Sequence, residues 1–436
     1  MLKININKVD INSKNYYKNI INLINLRYKK NKIKKIESYS KNIIYNIEKF
    51  KEKSLLFYLK KFENRILKNI KDIEINYKIL ENEFFKLDNE TKFILESSKN
   101  RIEMFHEEQK KNIIKNWKIL EESGNIMGQK MNKIERIGLY IPGGRAVYPS
   151  SVFMNIIPAK IAGVDNITIC SPSKSNNNLI FSSIFICGIK KAYSIGGIQA
   201  ISSMFFGNKI IKKCDKICGP GNIYITVSKK ILFGISGIDN LAGPSELTII
   251  ADNKSDPETI VMDLFPQSEH DNLAQSILIC DDYRFIENIE LLIKKFIPFL
   301  YRKNIIYNSV LKNIIIIKVD NLNQSFNILN MISPEHLIIS INNAYEFFKN
   351  VKNSGSNFID YKTGESFGDY NSGLNHIIPT NKNCKFSSPL GVYDFNKNLN
   401  FLKINDLSFN KISNSTIKFS KKEKLYSHSD SVKIRI

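Results

Sequence analysis

A chain of 436 residues is too long for one ordinary hydrophobic core, so two or more domains are expected. Its hydrophobic share of 43% fits a soluble folded protein, its longest apolar runs are strand-length, and residues 1–7 hold no apolar signal segment. These features exclude a membrane span and predict a cytoplasmic protein. The formal charge of +22 raises a nucleic-acid partner. Lys, Asn and Ile are abundant along the whole chain, however, and no helix-turn-helix, zinc finger or aromatic-basic RNA signature stands out. A solvated basic surface is the simpler reading.

The first stretch, to about Trp117, is charged and helix-like, with no glycine and no proline. Within it, His106 lies in a polar helical segment and is expected to be exposed and without function. From Arg136 the texture changes to short apolar strands, glycine turns and amphipathic helices. Residues 137–141, 166–170, 192–195 and 216–218 read as strands, with helices at 150–162 and 179–187 and after Gly219-Pro220-Gly221. A second series follows, with strands at 246–251, 277–280, 314–319 and 337–341 and helices at 257–264 and 284–296. This alternation predicts an α/β fold of two Rossmann-like, incomplete doubly wound modules, with a helical amino-terminal segment and a small carboxyl-terminal tail domain. Two modules in tandem imply a ligand cleft between them. No internal repeat is visible in the residues.

Cys170, Cys187, Cys214, Cys218, Cys280 and Cys384 are scattered, mostly in apolar runs. Cys214 and Cys218 are the wrong distance apart for a paired zinc-thiolate motif, so buried reduced thiols are expected. The other histidines are His270, His336, His376 and His428. Gln267-Ser268-Glu269-His270 puts an amide oxygen and an imidazole on one face of a helix, adequate for two metal ligands or for a polar helix end. Glu335-His336 offers two adjacent proton-transfer groups, or an ordinary turn. Asp369 stands in a segment, 364–373, rich in Gly, Ser and Asp, with His376 close behind. Glu423 and His428 lie in the tail. Gly219-Pro220-Gly221-Asn222-Ile223-Tyr224 keeps two glycines of the dinucleotide fingerprint but has tyrosine where the third belongs, and no P-loop is present.

Taken together, RIGLYIPGGRAVYPSS (136–151), GGIQA (196–200), GPGN (219–222), AGPSE (242–246), QSEH (267–270), PEHLI (334–338), GDYNSGLNHIIPT (368–380) and the tail 423–428 resemble the L-histidinol dehydrogenase family. The resemblance implies the last step of histidine biosynthesis, oxidation of L-histidinol to L-histidine through a bound aldehyde with two NAD in succession. It implies one zinc per subunit, ligated by Gln267, His270 and Asp369 and by His428 from the other subunit of a homodimer. It further implies His336 as the base and Glu335 as the group that activates water. Ser245 and Glu423 would join the metal ligands and His336 around the substrate, Tyr140, Gln199 and Asn222 would contact NAD, and His376 would be a substrate-side or structural residue. The implied organisation is an amino-terminal segment, 1–35; a larger domain, 36–139 with 245–390, carrying metal and catalytic residues; an NAD-binding domain, 140–244; and a tail, 391–436, reaching the partner. The chain departs from the family pattern at Pro266, which lacks a backbone donor and is expected to end the helix near Phe265 or kink it. Two rivals remain: an aldehyde dehydrogenase-like enzyme with a cysteine nucleophile, and a basic nucleic-acid-binding protein on an inherited enzyme fold.

Overall fold

The computed structural model describes residues 6–25, 30–143, 148–172, 178–270 and 272–436, without the side chains of residues 30–32, 270, 308 and 311. One sheet orders its strands as Asn7–Asp10, Ile314–Lys318, Gln275–Cys280, Glu246–Ala251, His336–Ser340 and Ser356–Ile359, all parallel. A second runs Glu74–Asn76, Lys191–Ser194, Asn166–Ser171, Arg136–Tyr140, Lys216–Cys218 and Gly237–Ile238, parallel except at its first strand. Leaving aside the amino-terminal edge strand, each sheet has the chain-order ranks 3-2-1-4-5 of a doubly wound module. The same topology thus occurs twice, although no repeat is visible in the residues.

Both sheets are covered on both faces, which is why their strands read as near-continuous apolar runs. In the second sheet Leu139 packs with Val152, Phe153 and Ile184 on one face, and its neighbour Tyr140 with Ile198, Met204 and Leu59 on the other. In the first sheet Ile249 and Leu278 face the helix Pro257–His270, while Ile250 and Ile279 face the opposite layer with Leu329 and Phe347. Five cysteines are buried in these layers, and Cys384 is half-buried. No helix among the described residues is long and apolar enough to cross a membrane.

The amino-terminal third is less uniformly helical than expected. Asn7–Asp10 adds an edge strand to the first sheet, and Glu74–Asn76 an antiparallel edge to the second. Residues 36–139 are expected to share a domain with 245–390. In the fold, the helix Lys30–Glu63 packs on helices Gly197–Phe206 and Ile223–Leu232 of the second sheet. Trp117–Leu120 and Ile126–Lys133 form a hairpin that pairs antiparallel with Asn396–Lys403, and helices Asp406–Lys422 and Tyr426–Lys433 complete this tail module.

His106 is not exposed as expected. It is fully buried on the helix Asn89–Ile113, with Nδ1 2.8 Å from the Ile102 carbonyl and Nε2 3.3 Å from the Asn375 amide nitrogen. Leu95, Ser98, Ile102 and His106 form the buried stripe of an otherwise polar helix, so tertiary contacts decide its environment. Burial holds its pKa below the ordinary 6.5 despite the backbone carbonyls that favour its charged form. The unfolded chain therefore takes up this proton first as pH falls, and the stability that neutral His106 provides is lost below about 6.5. His106→Ala is expected to cost about 2–4 kcal/mol in urea unfolding, to flatten the acid-side fall in stability, and to leave turnover of the folded protein unchanged.

Candidate active site

The carboxyl ends of the second sheet and the amino ends of the first supply the candidate residues. His336 opens its strand in register with Leu247 and Ser356, and Glu335 immediately precedes it. The Glu335 carboxylate is tethered on one side, Oε2 accepting from the Glu246 backbone N–H at 2.8 Å. Its Oε1 lies 3.7 Å from His336 Nε2. On the other side of the ring, His336 Nδ1 lies 3.3 Å from Oε1 of Glu365. The ring stacks on Phe358 at 6.0 Å and 7°.

Glu365 begins the helix Glu365–Tyr370, and Asp369 stands one turn later on the same face. Gly368 lets this helix approach: a Cβ there would come within 2.5 Å of the Phe358 ring. The Gln267 amide nitrogen donates to Glu365 Oε1. The helix Pro257–His270 continues through Pro266 instead of ending at Phe265. Val261, Leu264, Phe265 and Gln267 are all buried along it, and this burial outweighs the bond that proline removes. His270 closes the helix, and its side chain lies outside the described residues.

Burial opposes charge on His336, but Glu365, Glu335 and Asp369 outweigh it and raise the pKa of the imidazole. Burial raises the carboxyl of Glu365, with Asp369 and Glu335 adding to the shift and His336 opposing it. His336, Glu365 and Asp369 each present a ligand atom, all within 4.8 Å of one another. Gln267 Oε1 and Glu365 Oε2 are buried with no hydrogen-bond partner. Buried oxygens of this kind, beside an imidazole and a second carboxylate, fit a hard or borderline divalent cation such as zinc.

The structure thus brings together Glu335, His336, Gln267 and Asp369. His376 is adjacent, with Nδ1 3.1 Å from the Asp369 carbonyl and Nε2 3.2 Å from Ser151 Oγ. Ser245 lies at the entrance of the Glu246 strand and lines a groove of about 1520 Å³ with Asn222, Thr226 and Asn381. Glu423, which caps the helix Asp406–Lys422, and His428, on the helix Tyr426–Lys433, are exposed and are not among the residues of this cluster. Glu365 is not among the residues expected from the sequence. Its signal was the Glu-x-x-x-Asp spacing in a segment already marked as functional.

At the second sheet, the segments that would meet NAD follow strand carboxyl ends, where doubly wound folds bind ligands. Gly219 has φ +120° and packs against the Tyr140 carbonyl, leaving no space for a Cβ. A buried Lys229–Asp239 ion pair holds this turn. Lys229 Nζ donates to the Gly219 carbonyl at 3.0 Å, and Gly219 N–H donates to Asp239 Oδ2 at 2.7 Å. Asn222 is exposed and caps the following helix, accepting from Tyr224 N–H at 3.0 Å. Tyr140 and Gln199 are buried: the Tyr140 hydroxyl accepts from Gly197 N–H at 3.2 Å, and the Gln199 amide donates to Glu63 at 3.4 Å. Glu63 and the Lys229–Asp239 pair carry no motif and were not anticipated. Cys384 packs behind Glu335, but burial, with Glu246 and Glu335 nearby, pushes its thiol up to about 12. A thiol so hard to ionise is a poor nucleophile.

The histidinol dehydrogenase family profile matches residues 26–436. The histidinol dehydrogenase of Neisseria gonorrhoeae is 35% identical over 397 residues, 91% of this chain and 92% of that protein. That of Nitrosospira multiformis is 37% identical over 403 residues, 92% of this chain and 91% of the relative. The crystal structure of histidinol dehydrogenase from Elizabethkingia anophelis superposes with a TM-score of 0.91 at 31% identity, covering 100% of this chain and 99% of that one. Neither rival reading is favoured by these matches. With this fold and these relatives, the chain belongs to the histidinol dehydrogenase family, NAD-using oxidoreductases of histidine biosynthesis.

Proposed function

We propose that this chain oxidises L-histidinol to L-histidine through a bound aldehyde, with His336 and Glu335 dividing the proton transfers. The carrying observation is the asymmetric hold on the two groups. His336 has Nδ1 against Glu365 and turns Nε2 toward Glu335, while Glu335 is tied through Oε2 and keeps Oε1 on the His336 side. His336 Nε2 takes the alcohol proton in the first oxidation, and that of the hydrated aldehyde in the second. Glu335 Oε1 takes the proton of the water that adds to the aldehyde.

Gln267, His270 and Asp369 would hold a zinc ion, with His428 of the partner subunit as the fourth ligand; the orphaned Gln267 oxygen is the observation that fits. When bound, zinc supplies a Lewis-acidic template for the substrate's imidazole and amino nitrogens. Ser245 and Glu423 bind the rest of the substrate, and Tyr140, Gln199 and Asn222 line the path for NAD. The larger metal-carrying domain, the NAD-binding domain and the tail retain these separate tasks.

Homodimer formation is supported by the tail. None of the four buried apolar clusters includes a residue of 117–133 or 396–436. Trp117, Leu120, Leu402, Leu407 and Phe419 are exposed there, an apolar surface that a second copy of the chain would cover.

His336→Ala is expected to lower both oxidations by about 10²–10⁴-fold, and Glu335→Gln to lower oxidation of the aldehyde by a similar factor while largely sparing that of the alcohol. Stopped-flow NADH traces with each substrate read this directly; equal losses from Glu335→Gln on both substrates contradict the division.

The shared site has its own test. His428→Ala and His336→Ala subunits, each inactive in its own homodimer, are expected to recover activity in the isolated heterodimer because one composite site stays intact. Heterodimers no more active than the parent variants would place His428 within its own subunit's site.

A further inference from the structure

Glu365 uses one oxygen for two neighbours. Its Oε1 accepts from the Gln267 amide nitrogen and lies 3.3 Å from His336 Nδ1, while all three side chains are buried. An amide has a wrong end: only its oxygen can bind a cation, and only its nitrogen can donate. A carboxylate accepting from Nε2 therefore decides that Oε1 faces the opposite way, and that oxygen has no hydrogen-bond partner. An imidazole has the same ambiguity between its two nitrogens. Nδ1 makes no hydrogen bond, but with Glu365 Oε1 only 3.3 Å away an N–H is favoured there over a second lone pair, which leaves Nε2, the nitrogen on the Glu335 side, with its lone pair.

We propose that Glu365 is a positioning residue that sets two orientations with one carboxylate: the Gln267 carbonyl toward the metal, and the His336 tautomer that can accept the alcohol proton. The Gln267 half rests on the zinc reading above; the His336 half does not. The role assigned here is that of Oε1, which accepts from Gln267 and lies against His336; the partnerless oxygen of Glu365 is Oε2.

Three variants, purified and zinc-loaded, separate these roles: Glu365→Leu, Glu365→Gln and the double variant Gln267→Glu/Glu365→Leu. Leucine keeps the volume and removes the acceptor, glutamine keeps one acceptor oxygen, and a glutamate at 267 has no wrong end to be corrected. Zinc affinity is read by competition with a chelator, folding by thermal midpoint, and turnover by kcat and by KM for NAD. Glu365→Leu is expected to fold, to bind zinc about 10–100-fold more weakly, and to lose a similar factor in kcat with KM for NAD unchanged. The double variant is expected to regain zinc affinity but not kcat, because His336 still lacks its partner. Glu365→Gln is expected to recover most of both.

Wild-type zinc affinity and kcat in Glu365→Leu, with only a lower thermal midpoint, would make the role structural and overturn the proposal. A double variant no better than Glu365→Leu overturns the Gln267 half. A loss in Glu365→Gln as large as in Glu365→Leu would mean that the anionic oxygen itself is required, as for a ligand, and also overturns it. Should leucine prevent folding, Glu365→Ala takes its place in the same comparison. Wild-type protein that binds no zinc defeats the metal reading and the Gln267 half with it, while kcat still decides the His336 half.

Discussion

Three carboxyl groups converge on one buried imidazole, and that concentration of negative charge is the constraint on which the rest of the site depends. Glu335, Glu365 and Asp369 all raise the pKa of His336, and Glu365 and His336 are almost completely inaccessible. Buried carboxylates are costly unless paired or bound to a cation. One imidazole cannot balance three of them. The arrangement answers this in part with backbone donors, as Glu246 N–H does for Glu335, and in part with the amide of Gln267 on Glu365. What remains is a set of oxygen atoms facing inward without partners, the electrostatic condition for holding a divalent ion.

The fold delivers these groups by using one topology twice in opposite senses. In the second sheet the turns proposed to meet NAD follow strand carboxyl ends, as at Tyr140, Gly196 and Gly219, in agreement with the usual rule for doubly wound sheets. In the first sheet Glu246 and His336 stand at strand amino ends. The Gly219 turn is held by the Lys229–Asp239 pair, a buried interaction that fixes backbone geometry in a chain lacking the full glycine fingerprint. Helix Glu365–Tyr370 reaches His336 only because Gly368 leaves space for Phe358.

The α/β rhythm and eight of the twelve strands of the two sheets were legible in the sequence, because strands buried on both faces read as continuous apolar runs; the short strands Asn7–Asp10, Glu74–Asn76, Gly237–Ile238 and Ser356–Ile359 were not. The motifs around Gln267, Glu335, His336 and Asp369 were legible through their resemblance to a family, and each alone was also compatible with a helix end or a turn. Other features were hidden for identifiable reasons. Asn7–Asp10 is a short edge strand with a polar sequence, and the hairpin 117–133 exposes apolar side chains and lacks a clean alternation. His106 was misread because the polar residues around it outnumber the buried stripe 95, 98, 102 and 106. Of the two outcomes expected at Pro266, the helix end does not occur: the helix runs through it to His270. Glu365 has only its spacing to Asp369 as a signal, and the meeting of three separate segments reveals what it touches.

The central claim is that these converging side chains form a metal site built from nitrogen and oxygen donors, with all six cysteines outside it. X-ray absorption at the zinc edge of the purified, zinc-loaded protein tests it most directly. The account predicts only nitrogen and oxygen neighbours, at about 2.0–2.2 Å, with a histidine contribution that diminishes in His428→Ala. A sulfur neighbour at about 2.3 Å would move the metal to a cysteine and contradict the account.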